Sequence, residues 1–163
     1  MVFEPKSKND RVLIVDFNHM AHNFTYGGVR LTKNLKVGNN IETIDTTIAN
    51  GTIKNIFNWS RGGRIPTVVC FDRPCPSRKA YFLAEQSQGV DGEYKGKRES
   101  MSQTMYSGVA LAQDYLERGG VSCLALHNWE ADDLVFLAIQ QARRQYPNHY
   151  IDVITNDADM LPL

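Results

Sequence analysis

Seven carboxylates in this 163-residue chain stand where a short apolar run has just ended. Asp16 directly follows Val12-Leu13-Ile14-Val15, and Asp72 directly follows Thr67-Val68-Val69-Cys70-Phe71. Glu130, Asp132 and Asp133 come shortly after Val121-Ser122-Cys123-Leu124-Ala125. Asp157 and Asp159 come just after Tyr150-Ile151-Asp152-Val153-Ile154. One such aspartate is an ordinary turn or helix-capping residue, and for Asp132 or Asp133 alone capping is an equally good reading. Recurrence after four separate runs points further. Like charges brought together repel strongly at low effective dielectric, and at neutral pH a divalent cation neutralises them more readily than protonation does. Clustered oxygen donors without Cys or His suit Mg²⁺ or Mn²⁺. Two such ions about 3.5–4 Å apart can bridge a phosphate and activate water. The chemistry predicted is metal-dependent phosphodiester hydrolysis.

The elements that must position these acids are legible in outline. The four apolar runs are rich in β-branched residues and read as strands covered on both faces. Between them Ile41, Ile44, Ile48, Ile56 and Phe57 fit one helix face, interrupted by Gly51. Met105, Val109, Ala112 and Leu116 fit a second, stopped by Gly119-Gly120. Leu134, Val135, Ala138, Ile139 and Ala142 fit a third, ended by Pro147. The order β-α-β-α-β-α-β predicts an α/β fold with a mainly parallel central sheet. In such a sheet strands of one polarity end along one edge, where ligands bind. Two stretches depart from the alternation: the polar, Gly-rich segment 17–40, and the long basic segment 73–100, which reads as a functional arch or a loop.

Charge is distributed rather than summed. Basic and acidic residues balance at 18 each, which removes the usual signature of a nucleic-acid binder. Yet Arg73, Arg78, Lys79, Lys95, Lys97 and Arg98 outnumber Glu85, Asp91 and Glu93 in one segment, while acids dominate from Asn128 onward. A chain so divided can hold a polyanion and a cation together. Cys70, Cys75 and Cys123 form no CxxC pair and read as reduced thiols. His19 and His22 lack a third soft ligand nearby and read as surface or packing residues. No apolar stretch is long enough for a membrane helix and the N-terminus lacks a secretory h-region, so a cytoplasmic protein with no membrane partner is expected.

Four segments resemble, in order and spacing, the catalytic core of the 5′–3′ exonuclease and flap endonuclease family, which includes phage 5′ nucleases and the nuclease domain of bacterial DNA polymerase I. They are LIVDFNHMAHNF (13–24), VVCFDRPCPSRKAYF with EYKGKR (68–82 and 93–98), NWEADDLVFLA (128–138) and VITNDADMLPL (153–163). The resemblance implies a PIN-like three-layer sandwich with a basic arch insertion at about 73–100. It also implies that Asp16, Asp72, Glu130, Asp132, Asp133, Asp157 and Asp159 are metal-site carboxylates for two Mg²⁺ ions, with Mn²⁺ a plausible substitute. Lys95 and Arg98 align with arch residues that contact the scissile phosphate, and Arg78 with another basic arch position. Lys79 and Lys97 extend the same basic segment. Phe24, Tyr26 and Tyr94 are candidates to stack on an unpaired base, ordinary packing being the alternative. Phe17 stands where family members often have Gly, and NDAD where GDKD-like forms are common.

The family pattern continues past the last acid block into a helix-hairpin region that grips duplex DNA. The expectation is therefore a single catalytic core over 1–163, with that region absent or supplied by a further C-terminal segment or a second polypeptide. The function expected is a divalent-metal-dependent, structure-selective 5′ nuclease cutting DNA near a 5′ end or flap junction, with roles in DNA replication and repair. The alternatives are a PIN-type ribonuclease, or a non-catalytic replication accessory that binds branched nucleic acid. In the leading reading Lys95, with Arg98, neutralises charge developing on the phosphate. Lys95→Ala should then lower turnover on a 5′-flap substrate far more than it lowers metal binding. Unchanged turnover would remove Lys95 from the mechanism.

Overall fold

The computed structural model describes residues 10–25, 30–87 and 103–155. Its elements run β1 (Arg11–Asp16), α1 (Phe17–Thr25), β2 (Thr32–Val37), β3 (Asn40–Asp45), α2 (Thr47–Trp59), β4 (Thr67–Cys70), α3 (Pro76–Ser87), α4 (Gln103–Arg118), β5 (Ser122–Leu124), α5 (Ala131–Gln145) and β6 (Tyr150–Ile154). Four strands form one sheet in the order β5-β4-β1-β6, and every neighbouring pair is parallel. All four strands expected from the apolar runs are present, and all end along one edge.

β1 is hydrogen-bonded on both sides, with Asp16 in register with Cys70 of β4 and Val15 in register with Ile154 of β6. Its side chains alternate between two dry layers, as the strand period requires. Leu13 and Val15, with Val69 of β4, join a core built from α1, α2 and α4. Val12 and Ile14, with Cys70, join a second core against Leu134, Val135, Ala138, Ile139 and Ala142 of α5. No residue from Val12 to Val15 is more than 3% exposed. Burying each such side chain stabilises the fold by about 1.5–3 kcal/mol, so β1 is the element on which both layers close. The result is the three-layer α/β/α arrangement with a parallel sheet that the motifs imply.

Two expectations need correction. Ile41 and Ile44 belong to β3, not to the helix that holds Ile48 and Ile56; that helix starts only at Thr47, and Phe57 on it is 61% exposed. The segment read as irregular from Phe17 onward contains α1 and half of a β-hairpin. β2 and β3 pair antiparallel across Gly38-Asn39, with Val37 in register with Asn40. Gly38 has φ +62°, as a type II′ turn requires at its first central residue. The hairpin is anchored at its base, where the Leu31 carbonyl accepts from Thr46 N–H (2.7 Å) and the Leu31 N–H donates to Thr47 Oγ1 (2.7 Å). No helix among the described residues is long and apolar enough to cross a membrane.

Gly51, which interrupts the helical pattern in the sequence, has a packing reason. The Phe24 ring of α1 lies on it, and a Cβ there would come within 2.4 Å of Phe24 Cε1 and 2.9 Å of Cγ. Gly to Ala inside a helix ordinarily stabilises by about 0.5–1 kcal/mol. Here overpacking reverses the sign, and Gly51→Ala should destabilise by about 1–3 kcal/mol in urea denaturation. Adding Phe24→Leu should recover part of that loss; a Gly51→Ala midpoint at or above that of the parent would show the ring to be loosely held.

Candidate active site

Asp16, the last residue of β1, is 1% exposed. Thr155, just beyond β6, donates its hydroxyl to Asp16 Oδ2 at 3.2 Å. The next residue, Phe17, is fully buried and opens α1. Its ring stacks on Phe71 with centroids 4.4 Å apart and planes at 29°. Phe17 follows Asp16 and Phe71 precedes Asp72, so the stack clamps together the two strand ends that carry these acids. That gives the bulky residue after Asp16 a structural use.

Asp72 leaves β4 and points its Oδ1 at the Ala131 N–H, the first of α5, at 2.6 Å. The two loops beyond β4 and β5 are laced by further bonds. Phe71 N–H reaches the Leu124 carbonyl (2.8 Å), Arg73 N–H the Trp129 carbonyl (3.2 Å), and Ser77 N–H the Asn128 Oδ1 (3.2 Å). Cys75 donates its thiol to the Asn128 carbonyl (3.1 Å). Asn128 adopts φ +67°, a left-handed conformation that Asn tolerates better than most residues. Asn128 and Thr155 both fall inside the matched motifs, but their roles depend on contacts between loops distant in sequence. Arg73 also bonds Gln113 Oε1 on α4 (2.6 Å).

The third group of acids sits at the start of α5. Glu130 is its N-cap and is 7% exposed; Asp133 reaches back to the Glu130 N–H at 3.2 Å, one arm of a capping box. Both carboxylates also take the guanidinium of Arg78 from α3. Arg78 Nη1 pairs with Glu130 Oε2, and Nη2 with both oxygens of Asp133 at 2.7 and 2.9 Å. Burial opposes the charge on Arg78, but its bonds to Asp133 and then Glu130 more than compensate, holding its pKa above the ordinary guanidinium value. Carboxylates at the positive end of a helix gain from its dipole as well.

Of the other sequence candidates, Asp132 is exposed on the first turn of α5 and Lys79 is exposed on α3, while Phe24 is half-buried against α2. Tyr26, Tyr94, Lys95, Lys97, Arg98, Asp157 and Asp159 lie outside the described residues. Among the described residues no three of His, Cys, Asp or Glu stand close enough to form a metal cage. The donor chemistry at the edge is nevertheless that of a hard cation. Each described candidate is a carboxylate, and the thiol in register with Asp16 is held protonated: burial, then the charge of Asp16, push Cys70 up to about 12. A hollow of about 1040 Å³ between the sheet margin at β4–β5 and α5 is lined by none of these acids.

No curated protein matches the chain. Among solved structures it is similar to the T5 D15 protein co-crystallised with metal ions, with a TM-score of 0.53 and 15% identity. That likeness covers 92% of this chain and 50% of the other, so the chain spans about half the length of that neighbour and shares its fold over that half. Residues 11–163 match the family described as 5′-3′ exonuclease, N-terminal resolvase-like domain. Taking in the sheet, its acidic edge and nearly the whole sequence, this match makes the chain a member of the 5′–3′ exonuclease N-terminal resolvase-like domain family.

Proposed function

We propose that residues 1–163 form the catalytic core of a divalent-metal-dependent 5′ nuclease that hydrolyses DNA near a 5′ end or flap junction. The observation that carries the reading is the convergence of oxygen-only acids from β1, β4 and the start of α5 on the carboxyl edge of a parallel sheet, beside a helix bearing Arg78 and Lys79. Family membership supports nuclease chemistry, and the neighbour crystallised with metal ions supports a cation requirement.

In this reading Asp16, Asp72, Glu130 and Asp132 hold a first Mg²⁺, and Asp133 with Asp157 and Asp159 serves a second. When bound, the cations polarise the phosphodiester and lower the pKa of coordinated water. The protein's own share is orientation. Thr155 fixes one oxygen of Asp16, and the α5 N-terminus fixes one oxygen of Asp72, so each carboxylate presents its other oxygen in a set direction. Lys79, Lys95, Lys97, Arg78 and Arg98 offer positive charge to the phosphates, and Tyr26 and Tyr94 offer rings to an unpaired base. A helix-hairpin partner region, on a further segment or a second polypeptide, would grip the duplex.

A 5′-labelled flap DNA should be cut in Mg²⁺ and left intact in EDTA, with single-stranded RNA cut much more slowly. Faster RNA cleavage would favour a PIN-type ribonuclease, and salt-sensitive binding without cleavage a non-catalytic module. Asp16→Asn should abolish cleavage and the rise in melting temperature that Mg²⁺ binding confers; a retained thermal shift would place the cation elsewhere.

Asp72 separates two roles. Asp72→Ala leaves the Ala131 N–H without its acceptor and should cost about 1 kcal/mol of stability. Asp72→Asn keeps an acceptor and should preserve most of that stability, while lowering cleavage as far as Ala does. Equal activity in Asp72→Asn and the parent would make Asp72 a cap alone.

A further inference from the structure

Asn18 is the second residue of α1, two places beyond Asp16. Phe17, between the two, is fully buried and stacked on Phe71, and Met20 and Ala21 belong to the same dry core. The first turn of α1 is therefore held on both sides of Asn18, and the backbone has little freedom to carry that side chain out to water. Asn18 is 5% exposed, and its Oδ1 is buried with no hydrogen-bond partner among the described residues. Other buried polar side chains are satisfied within the fold. Thr52 donates to the Ile48 carbonyl at 2.6 Å, Ser60 to the Phe57 carbonyl at 3.1 Å, and Thr46 to the Leu31 carbonyl at 3.1 Å.

A buried amide oxygen without a donor destabilises a fold, because folding strips its water and returns no bond. Such a group in a native structure needs a reason, and a functional site is a common one. The place of Asn18 supplies it. Asp16 and Asn18 are two chain steps apart, so their Cα atoms lie within about 7.6 Å of each other whatever the local bend. We propose that Asn18 Oδ1 accepts from water carried by the cation at Asp16, which makes Asn18 a positioning residue of the metal site beyond its carboxylates. The inference rests on the metal-site reading. Mg²⁺ held by carboxylates keeps several of its waters, and each is a strong donor that needs an acceptor. A neutral carboxamide provides one without adding to the repulsion among the acids. Outer partners of this kind set the direction of what the metal holds. Asn18 then lowers stability in the metal-free chain and recovers the loss when the cation binds.

Calorimetric titration of Mg²⁺ and thermal melting of the 163-residue chain, with and without Mg²⁺, test this in the parent, Asn18→Leu and Asn18→Asp. Asn18→Leu is close in shape but cannot accept. Without metal it should melt about 2–4 °C above the parent, since an unsatisfied buried group has been removed. Its Mg²⁺ affinity should fall about ten-fold, at the low end for loss of an outer partner, and its Mg²⁺-induced rise in melting temperature should shrink. Asn18→Asp keeps an acceptor oxygen. It should bind Mg²⁺ at least as tightly as the parent while melting lower without metal, because a carboxylate is harder to bury. The two readouts thus move in opposite directions, which a residue that merely packs would not produce. Unchanged Mg²⁺ affinity in Asn18→Leu, or a lower metal-free melting temperature there, would overturn the role of Asn18 and leave the metal site standing. Weaker Mg²⁺ binding in Asn18→Asp would overturn it too. No heat from Mg²⁺ in the parent would overturn both readings.

Discussion

A strand buried on both faces and bonded on both sides can carry charge only where it ends. β1 is such a strand. Val12 through Val15 fill two separate cores, β4 and β6 occupy its two edges, and the first ionisable side chain after them is Asp16 at the carboxyl end. The placement of the candidate acids follows from that constraint. β4 runs parallel and in register, so Asp72 emerges on the same side; β5 runs parallel to β4, so the chain leaving it brings Glu130 and Asp133 there too. The acids share an edge because the hydrophobic layers leave them one on which to emerge.

Such a gathering carries a standing electrostatic cost, and the fold meets it locally. Three kinds of donor meet the acids of this edge. Asp16 has the Thr155 hydroxyl, Asp72 a backbone amide at a helix start, and Glu130 and Asp133 the guanidinium of Arg78. These donors come from the residue after β6, from α5 and from α3, so compensation of the charge also ties the loops of the edge to one another. The stacked Phe17 and Phe71 rings brace the same edge from beneath, with apolar contact where the acids can supply none.

What the sequence discloses of this arrangement depends on how much of each element is dry. The four sheet strands are legible because double-sided burial imposes a continuous apolar run, and α4 and α5 because one buried stripe imposes the helical period. The β2–β3 hairpin is exposed on both faces, so Thr32-Lys33-Asn34-Leu35-Lys36-Val37 shows no clean alternation and only Gly38-Asn39 signals the turn. Ile41 and Ile44 then borrow an apparent helical spacing from Ile48 that the break at the N-cap, Thr46, cancels. α3 is hidden for a related reason: its described apolar side chains, Tyr81 and Leu83 among them, are exposed and write no stripe. The acids of the edge could be read from their places after strands. The partner of Arg78 could not, because pairing with Glu130 and Asp133 is decided by how the loop beyond β4 folds onto Asn128.

The acids at the start of α5 also explain how one segment serves stability and chemistry together. Glu130 at the N-cap and Asp133 in the first turn are where a helix gains from negative charge whether or not a metal is present. Asp72 caps the same helix from the neighbouring loop. A fold that must keep several carboxylates close therefore places three of them where the backbone offers its own positive pole. The sheet can close and α5 can form before any cation arrives. The guanidinium of Arg78, paired with Glu130 and Asp133 from α3, adds a full positive charge to what the backbone supplies.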